Sequence, residues 1–240
     1  MQKYTVTIHT STVADGNMAL RFGDAESAQK NRDAFLARCG LAETHLAMLN
    51  VSHGDVVRDV SREAFDGVHE LSVDAEAVVT KDVGVTLFLL TADCIPVILF
   101  DRIRGIVALA HLGWRPTVLG LAPKTIRHME TMYGSHSHDL EIFLGSSIQA
   151  PSYAFREVTQ GEPEWVPYLQ KGADGLVHVD LPGYVKSQAV RLGVSEAHVH
   201  LSTIDTATDA SYFSHSRSKK AATVEGRFAT IATLGYANQA

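Results

Sequence analysis

The chain has 240 residues, of which 45% are hydrophobic and 20% are charged, a composition typical of an ordinary globular protein. A chain of this length can bury a sizeable core without disulfides or a structural metal. Its net charge of -6 argues against a general nucleic-acid binder, which would carry an excess of basic residues.

The two cysteines, Cys39 and Cys94, lie in different sequence settings, so we do not expect a disulfide framework. Cys39 is predicted to be a small core residue. Reduced thiols fit the cytoplasm, and the amino-terminal segment lacks the pattern of a signal peptide. The most apolar stretch, Val85 to Phe100, contains Asp93 and Pro96. A bilayer-spanning helix needs about 20 mostly apolar residues, so we expect a cytoplasmic protein without a membrane span.

The first third of the chain predicts one strand, one helix and a strand pair. The alternation of apolar and polar residues over 4–8 predicts a half-buried strand. Asp24 predicts the N-cap of a helix that begins at Ala25 and ends at Gly40. Residues 44–60 predict a pair of strands with SHGD as their turn, because glycine and aspartate favour turns. Residues 61–76 are polar and mixed, which predicts a loop or a short helix.

Three short apolar runs form the centre of the sequence. Val85–Leu90, Ile95–Phe100 and Gly105–Ala110 are continuously apolar, which predicts strands buried on both faces. The segment HLGWRPT then leads into a predicted helix over about Leu119–Tyr133, with a proline that is tolerable in its first turn.

The remaining third continues to mix strands and helices. The predicted elements are a strand at Ile142–Leu144, a helix capped by Asp180 and ended by Gly193, a strand at Ala197–Leu201, a polar stretch over 205–222 and a final strand at Arg227–Leu234. No repeat or low-complexity linker interrupts them. We therefore expect a single mixed α/β domain over residues 1–240.

Three residues with metal-binding side chains stand where predicted core strands end. His53 lies in the SHGD turn, Cys94 lies just before one strand, and His111 lies just after another. Strand ends at one edge of a sheet converge and can present side chains to a common cleft. Zinc binds Cys sulfur and His nitrogen, and catalytic zinc sites keep three protein ligands and a water of lowered pKa. Asp93 is a candidate to orient a ligand histidine.

Each of these residues also has a structural interpretation. A lone Cys94 between two apolar runs is usually a core residue, His111 suits the end of a strand, and His53 suits a turn. Their spacing is not the tight C-x-x-C or H-x-x-x-H spacing that would identify a metal site by itself. From the residues alone, both interpretations stay open.

Several motifs resemble one known family, which is described both as the multicopper polyphenol oxidoreductase or laccase-domain family and as the YfiH-like purine nucleoside phosphorylase family. TADCIPVILFD (Thr91–Asp101) and ALAHLGWRPT (Ala108–Thr117) resemble its ADC-x-P and HAGWRGT motifs. GDAESAQKNR, SHGDVV, GSSIQAPSY, SYFSHSR and GRF match further segments, so the resemblance covers nearly the whole chain.

The resemblance implies a fold, a metal site and an activity. The implied fold is α+β, a layered α–β–β–α domain with mixed sheets. The family's metal ligands fall on His53, Cys94 and His111, with zinc as the expected metal and copper as the alternative. The implied activity is phosphorolysis of adenosine, inosine and methylthioadenosine, together with adenosine deamination. The expected partners are a purine nucleoside and phosphate, in a monomer or small homo-oligomer.

The sequence departs from the family pattern at several positions. Leu112 and Pro116 replace the small residues that flank the family's histidine and Trp-Arg pair, and Val51 replaces a glutamine. Ser202-Thr203, Ser146 and a single Arg217 replace the usual Cys-Thr, Gly-Pro and paired arginines. We expect these changes to affect the substrate range more than the metal site.

Two residues are candidates for substrate contacts. Phosphorolysis needs phosphate near C1′ of the ribose, and Arg115 lies four residues past His111, so Arg115 is the candidate phosphate ligand. Trp114 is a candidate to stack on the purine base. A surface arginine and a core tryptophan are the structural interpretations of the same two residues.

Three other functions use the same residues. A cysteine hydrolase would use Cys94 as nucleophile and His111 as its base, without metal. A copper phenol oxidase would need several histidine-rich copper centres, whereas the pairs His136/His138 and His198/His200 lie in different settings. A non-enzymatic binding module would not depend on Cys94.

Overall fold

The computed structural model describes residues 4–159, 163–221 and 224–237. Within these ranges the strands are β1 (Tyr4–Thr10), β2 (His45–Asn50), β3 (Val57–Asp59), β4 (Glu70–Asp74), β5 (Ala77–Thr80), β6 (Val85–Thr91), β7 (Ile95–Asp101), β8 (Ile106–Leu112), β9 (Leu140–Leu144), β10 (Ala154–Phe155), β11 (Leu169–Lys171), β12 (Val177–Val179), β13 (Val199–Leu201) and β14 (Phe228–Tyr236). The α-helices of the same ranges are α1 (Ala25–Arg38), α2 (Trp114–Val118), α3 (Leu121–Tyr133), α4 (Leu181–Arg191) and α5 (His215–Ala221).

The strands form two large mixed sheets and one small antiparallel sheet. The five-stranded sheet has the order β1-β14-β6-β2-β4, with parallel pairing of β2 to both β6 and β4. The six-stranded sheet has the order β13-β9-β7-β8-β5-β3, with parallel pairs at its two ends. The three-stranded sheet has the order β10-β12-β11.

The two large sheets pack face to face, and helices cover their outer faces. Leu87 of β6 and Leu109 of β8 belong to the hydrophobic cluster between the sheets. Phe35 of α1 packs on the outer face of the five-stranded sheet. Ile126 of α3 and Val185 of α4 pack on the outer face of the six-stranded sheet. The layers therefore follow the order α–β–β–α, which confirms the predicted fold.

The predicted strands and caps at the centre of the fold are confirmed. Every residue of β7 and β8 is buried, because alternate side chains enter the layer between the sheets and the layer beneath the helices. The Asp24 carboxylate accepts a hydrogen bond from the Ser27 amide at 2.8 Å and caps α1. The Asp180 carboxylate accepts one from the Gly183 amide at 2.9 Å and caps α4.

The two strands predicted over 44–60 are present, but the prediction that they pair with each other is wrong. β2 lies in the five-stranded sheet and β3 lies in the six-stranded sheet, so residues 51–56 carry the chain from one layer to the other. The partner of β2 is β4, which lies within the stretch predicted to be a loop or short helix. β4 has a polar sequence because it is the edge strand, with every second residue exposed.

The helices also differ in part from the prediction. WRPT already forms the short helix α2, and Gly120 in a left-handed conformation separates α2 from α3. The polar stretch 205–222 contains α5 up to Ala221, while residue 222 lies outside the described residues. In the ranges that the structure describes, no helix combines the length and the apolar character needed to span a bilayer.

Candidate metal centre

The ends of several strands meet at one edge of the two large sheets. β2 and β6 are parallel, so their carboxyl ends lie at the same edge, and the turns that follow them carry His53 and Cys94. At the matching edge of the six-stranded sheet, Ile95 pairs with Leu112, which places the start of β7 beside the end of β8 and His111. The topology therefore brings the three predicted ligands together, although they are far apart in sequence.

The three side chains form a compact cluster. One ligand atom from each of His53, Cys94 and His111 lies within 4.8 Å of the other two. The imidazole rings of the two histidines are nearly perpendicular, with their centroids 5.0 Å apart. His111 is buried, Cys94 is half-buried and His53 is exposed, so the cluster is open to a small molecule on the side of His53.

Glu76 holds two of the ligands in place and was not predicted from the sequence. It precedes β5, directly opposite His111, and its Oε2 lies 2.8 Å from His111 Nδ1. Its Oε1 accepts hydrogen bonds from the amides of Ser52 at 2.5 Å and Gly54 at 3.0 Å, which flank His53. With Nδ1 bonded to the carboxylate, Nε2 of His111 is the nitrogen available to a metal. The sequence signal that could have identified Glu76 is an acidic residue directly before the apolar run of β5.

Asp93 does not orient a ligand histidine. Among the described residues, its carboxylate accepts hydrogen bonds from the Thr206 hydroxyl at 2.8 Å and the Ser216 amide at 2.6 Å. Asp93 itself has φ of 84°, a left-handed conformation that helps the chain turn sharply before Cys94. Its role in this structure is to fasten the TADC turn to the segment over 206–216.

Backbone geometry shapes the cluster at two positions, His53 and Gly113. His53 adopts φ of 63°, which is costly for a residue with a side chain and is held by the hydrogen bonds of its neighbours to Glu76. At Gly113, an added Cβ would lie 2.7 Å from Cys94 Sγ and 3.9 Å from His53 Cδ2. Only a glycine leaves the space beside the Cys94 sulfur and the edge of the His53 ring open, so the residues present fit a bound ion.

The electrostatics of the cluster favour a thiolate. Burial raises the pKa of Cys94, but hydrogen bonds and charge from His111 and His53 outweigh burial and lower it to about 6. Burial lowers the pKa of His111, whereas its hydrogen bonds to Cys94 and Glu76 raise it to about 9. A thiolate beside two imidazoles is a donor set that suits zinc, and ligation would release the His111 proton.

The two candidate substrate residues lie on α2, next to the cluster in sequence. Arg115 is exposed, and its guanidinium makes no hydrogen bond with any residue that the structure describes. Trp114 is half-buried, with ring centroids 6.4 Å from Tyr153 and 5.9 Å from Phe155. We call Trp114, Tyr153 and Phe155 the aromatic group. The structure thus places Trp114 in partial contact with the core and leaves part of the group, including Phe155, exposed.

A family model described as multi-copper polyphenol oxidoreductase laccase matches residues 5–235. The chain belongs to this laccase family. The match covers both large sheets and all three residues of the cluster. Leu112 and Pro116, two positions at which this chain departs from the family motif, are both buried. Leu112 packs in the hydrophobic cluster beneath the helices.

Curated members of the family carry a different name. A Streptomyces griseus protein named purine nucleoside phosphorylase ORF3 is 30% identical over 210 residues, which is 85% of this chain and 81% of that protein. A Bacteroides thetaiotaomicron purine nucleoside phosphorylase is 31% identical over 148 residues, which is 57% of this chain and 53% of that protein. The second match therefore spans about half of the relative's length.

Solved structures share the fold. Bacillus licheniformis protein YfiH aligns with a TM-score of 0.81 at 21% identity, over 95% of this chain and 92% of that one. Neisseria meningitidis protein NMB0706 aligns with a TM-score of 0.77 at 25% identity, over 96% of this chain and 94% of that one. The layered architecture is therefore shared with these solved proteins.

Proposed function

We propose that this protein is a zinc-dependent purine nucleoside phosphorylase. The observation that carries the proposal is the cluster of His53, Cys94 and His111, whose donor atoms lie within 4.8 Å of one another in a chain with relatives named purine nucleoside phosphorylase. The proposed substrates are adenosine, inosine and methylthioadenosine, with deamination of adenosine as a second activity.

Phosphorolysis places defined demands on the site. A phosphate oxygen forms a bond to C1′ of the ribose while the bond from C1′ to the base breaks, and the base leaves with the electron pair and takes up a proton. His53, Cys94 and His111 would hold the metal, and Glu76 would fix the His111 tautomer. When bound, zinc supplies a Lewis acid that makes water nucleophilic near neutral pH, the chemistry that deamination at C6 requires.

The aromatic group is the proposed binding surface for the base. Trp114 follows Gly113, whose backbone lies against Cys94, so the exposed edge of the group begins beside the metal centre. Burial raises the pKa of Tyr153, as do the nearby charges of Cys94 and Asp93. Like an ordinary tyrosine, Tyr153 is protonated near neutral pH, and its hydroxyl can donate a hydrogen bond to a substrate.

Metal analysis combined with a product assay tests the proposal. We expect about one zinc per chain in protein purified without added metal. Adenosine and inosine should release free base only when phosphate is present, and adenosine should also yield inosine. Metal without either product would reject the nucleoside substrates, whereas base release without metal would reject the zinc requirement.

A metal-free cysteine hydrolase is the second candidate, because one observation favours it. Cys94, His111 and Glu76 lie in the order nucleophile, base and orienting carboxylate: Cys94 and His111 have donor atoms within 4.8 Å of each other, and His111 Nδ1 lies 2.8 Å from Glu76 Oε2. The same arrangement serves a zinc ligand and its carboxylate partner. Stoichiometric metal, with activity that is lost on chelation and restored by zinc, would contradict the hydrolase.

Copper-dependent phenol oxidation is proposed only as a secondary activity. Within the described part of the chain, His53, Cys94 and His111 form the one group of three or more His, Cys, Asp or Glu side chains close enough to share an ion. Multicopper oxidases need several copper centres. We expect phenol oxidation only with added copper. Two unpaired thiols, Cys39 and Cys94, support the proposed cytoplasmic location.

A further inference from the structure

A second cavity opens at the edge of the five-stranded sheet and has a volume of about 370 Å³. Three arginines line it, Arg21, Arg32 and Arg227, together with one carboxylate, Glu70. We call it the arginine pocket. Such an excess of positive charge stands out in a chain whose net charge is -6. The excess cations make the pocket a receptor for an anion.

Arg32 is charged, buried and only partly paired. Its side chain is 5% exposed, its Nε donates to the Met18 carbonyl at 2.7 Å, and its Nη1 lies 3.7 Å from Glu70 Oε1. Nη1 also donates to Met48 Sδ at 3.6 Å, and Nη2 makes no hydrogen bond with any residue in the described ranges. A guanidinium that is mostly buried and has one carboxylate at 3.7 Å keeps a positive charge at the wall of the pocket, which an anion would partly neutralise.

Arg21 and Arg227 add a pair of guanidinium groups at the same place. Both lie over the ring of Phe22, at 5.0 Å and 4.2 Å from its centroid. Arg227 donates hydrogen bonds to the Gly226 carbonyl and to Glu225, while Arg21 is exposed at the rim. Both guanidinium groups line the pocket, and a bound oxyanion would accept charge-assisted hydrogen bonds from them.

The pocket adjoins the metal centre. Arg227 directly precedes β14, whose Phe228 pairs with Thr91 at the end of β6, three residues before Cys94. Val51, which also lines the pocket, stands two residues before His53. The same strand ends therefore carry both the metal ligands and the lining of the pocket.

We propose that the arginine pocket binds the phosphate used in phosphorolysis, with Arg21 and Arg227 as its ligands and Arg32 as the buried charge behind them. The proposal rests on the proposed function. Phosphate must approach C1′ from the face opposite the departing base. The aromatic group adjoins the six-stranded sheet and the arginine pocket adjoins the five-stranded sheet, while the metal centre lies where the strand ends of both sheets meet.

Phosphate binding by the whole protein gives a test that does not need turnover. In equilibrium dialysis against radiolabelled phosphate, we expect Arg21→Gln to weaken binding at least about tenfold, because it removes a charge-assisted hydrogen bond. Arg227→Lys keeps the charge but loses the planar fork, and should also weaken binding. Arg127→Gln, an equal change of charge on exposed α3, should leave binding unchanged. Unlabelled ribose 1-phosphate should compete, and ribose should not.

Turnover separates this proposal from the proposed function. If the protein phosphorolyses inosine, Arg21→Gln should raise the KM for phosphate at least about tenfold and leave the KM for inosine nearly unchanged. If it binds phosphate through the pocket but releases no base, the pocket stands and the proposed activity fails. Binding and KM that are unaffected by both pocket variants would overturn the pocket, and a matching loss in Arg115→Gln would move the phosphate site to α2.

Discussion

At the scale of single residues, the metal centre depends on one carboxylate that is not itself a ligand. The Glu76 carboxylate accepts hydrogen bonds from His111 Nδ1 and from both amides that flank His53. Replacing Glu76 with glutamine removes the negative charge. It also leaves a single side-chain oxygen to accept the three hydrogen bonds. We expect Glu76→Gln to lower zinc affinity about 10–100-fold, the range typical of such supporting residues. Competition with a chromogenic chelator measures the affinity.

A second buried carboxylate provides the control for Glu76. Asp101 is buried at the opposite end of β7, and its Oδ1 accepts hydrogen bonds from the amides of Ile103 and Arg104. Asp101→Asn should lower the free energy of unfolding and leave zinc affinity unchanged. Equal zinc affinity in Glu76→Gln and the wild type would show that the carboxylate has no role in holding the ligands.

The two cysteines make a matched pair for testing the ligand itself. Cys94 belongs to the cluster, whereas Cys39 follows α1 and packs against the outer hydrophobic cluster. Cys94→Ser should be purified with far less than one zinc per chain, because a serine hydroxyl is a poor replacement for a thiolate. Cys39→Ser should keep its zinc. Plasma emission spectrometry of both proteins gives the metal content, and full occupancy of Cys94→Ser would contradict the ligand assignment.

His53, Cys94 and His111 could be predicted from the sequence because each stands next to a recognisable strand or turn, and the family resemblance then singled them out. Glu76 could not, because its role depends on the register that places β5 against β8, which no local pattern encodes. The sequence predicts that Asp93 orients a ligand histidine, and the structure corrects this. In the fold it instead contacts Thr206 and Ser216, more than a hundred residues away.

At the scale of elements, the turn from β8 into α2 sets the space around the metal. Gly113 has an ordinary φ of -88°, so an alanine there would cause no backbone strain, but its Cβ would meet Cys94 Sγ at 2.7 Å. We expect Gly113→Ala to weaken zinc binding by displacing the thiolate. Isothermal titration calorimetry with zinc measures the effect.

Gly54 offers the matched control for that steric argument. It lies beside His53, yet the nearest atom to an added Cβ is Ser52 Oγ at 3.7 Å, an ordinary contact. Gly54→Ala should therefore retain zinc binding. If the two alanine variants bind zinc equally well, the close approach at Gly113 has no functional consequence.

Elements with a strong pattern were predictable, and those whose position depends on distant partners were not. β7 and β8 are continuous apolar runs, and α4 has an aspartate cap and a proline in its first turn. β4 is a polar edge strand, and its pairing with β2 bypasses β3 in the chain order. Local sequence patterns predict that a strand or helix exists, but they do not predict which distant strand it pairs with.

At the scale of the whole molecule, the cluster between the two large sheets joins the layers into one unit. Leu109 is fully buried there, so Leu109→Ala should lower the free energy of unfolding by about 2–5 kcal/mol. We propose that residues 1–240 form a single domain, and therefore expect one cooperative transition in urea. Tryptophan fluorescence, from Trp114 and Trp165, and far-ultraviolet circular dichroism should give the same midpoint.

An exposed side chain gives the control for this substitution. Met132 is 60% exposed on α3, so Met132→Ala should change the free energy of unfolding by less than about 0.5 kcal/mol. Separate midpoints for fluorescence and circular dichroism, in either the wild type or Leu109→Ala, would argue against a single domain.

The convergence of strand ends at one edge leaves the opposite edge free for engineering. There the connection between β7 and β8 exposes Ile103, and residues 81–84 connect β5 to β6. A strand of seven residues spans roughly 20 Å, so these connections lie far from the metal ligands. An affinity tag or a fluorescent label inserted after Arg102 should leave zinc affinity unchanged, and natural variation in loop length should accumulate at this same end.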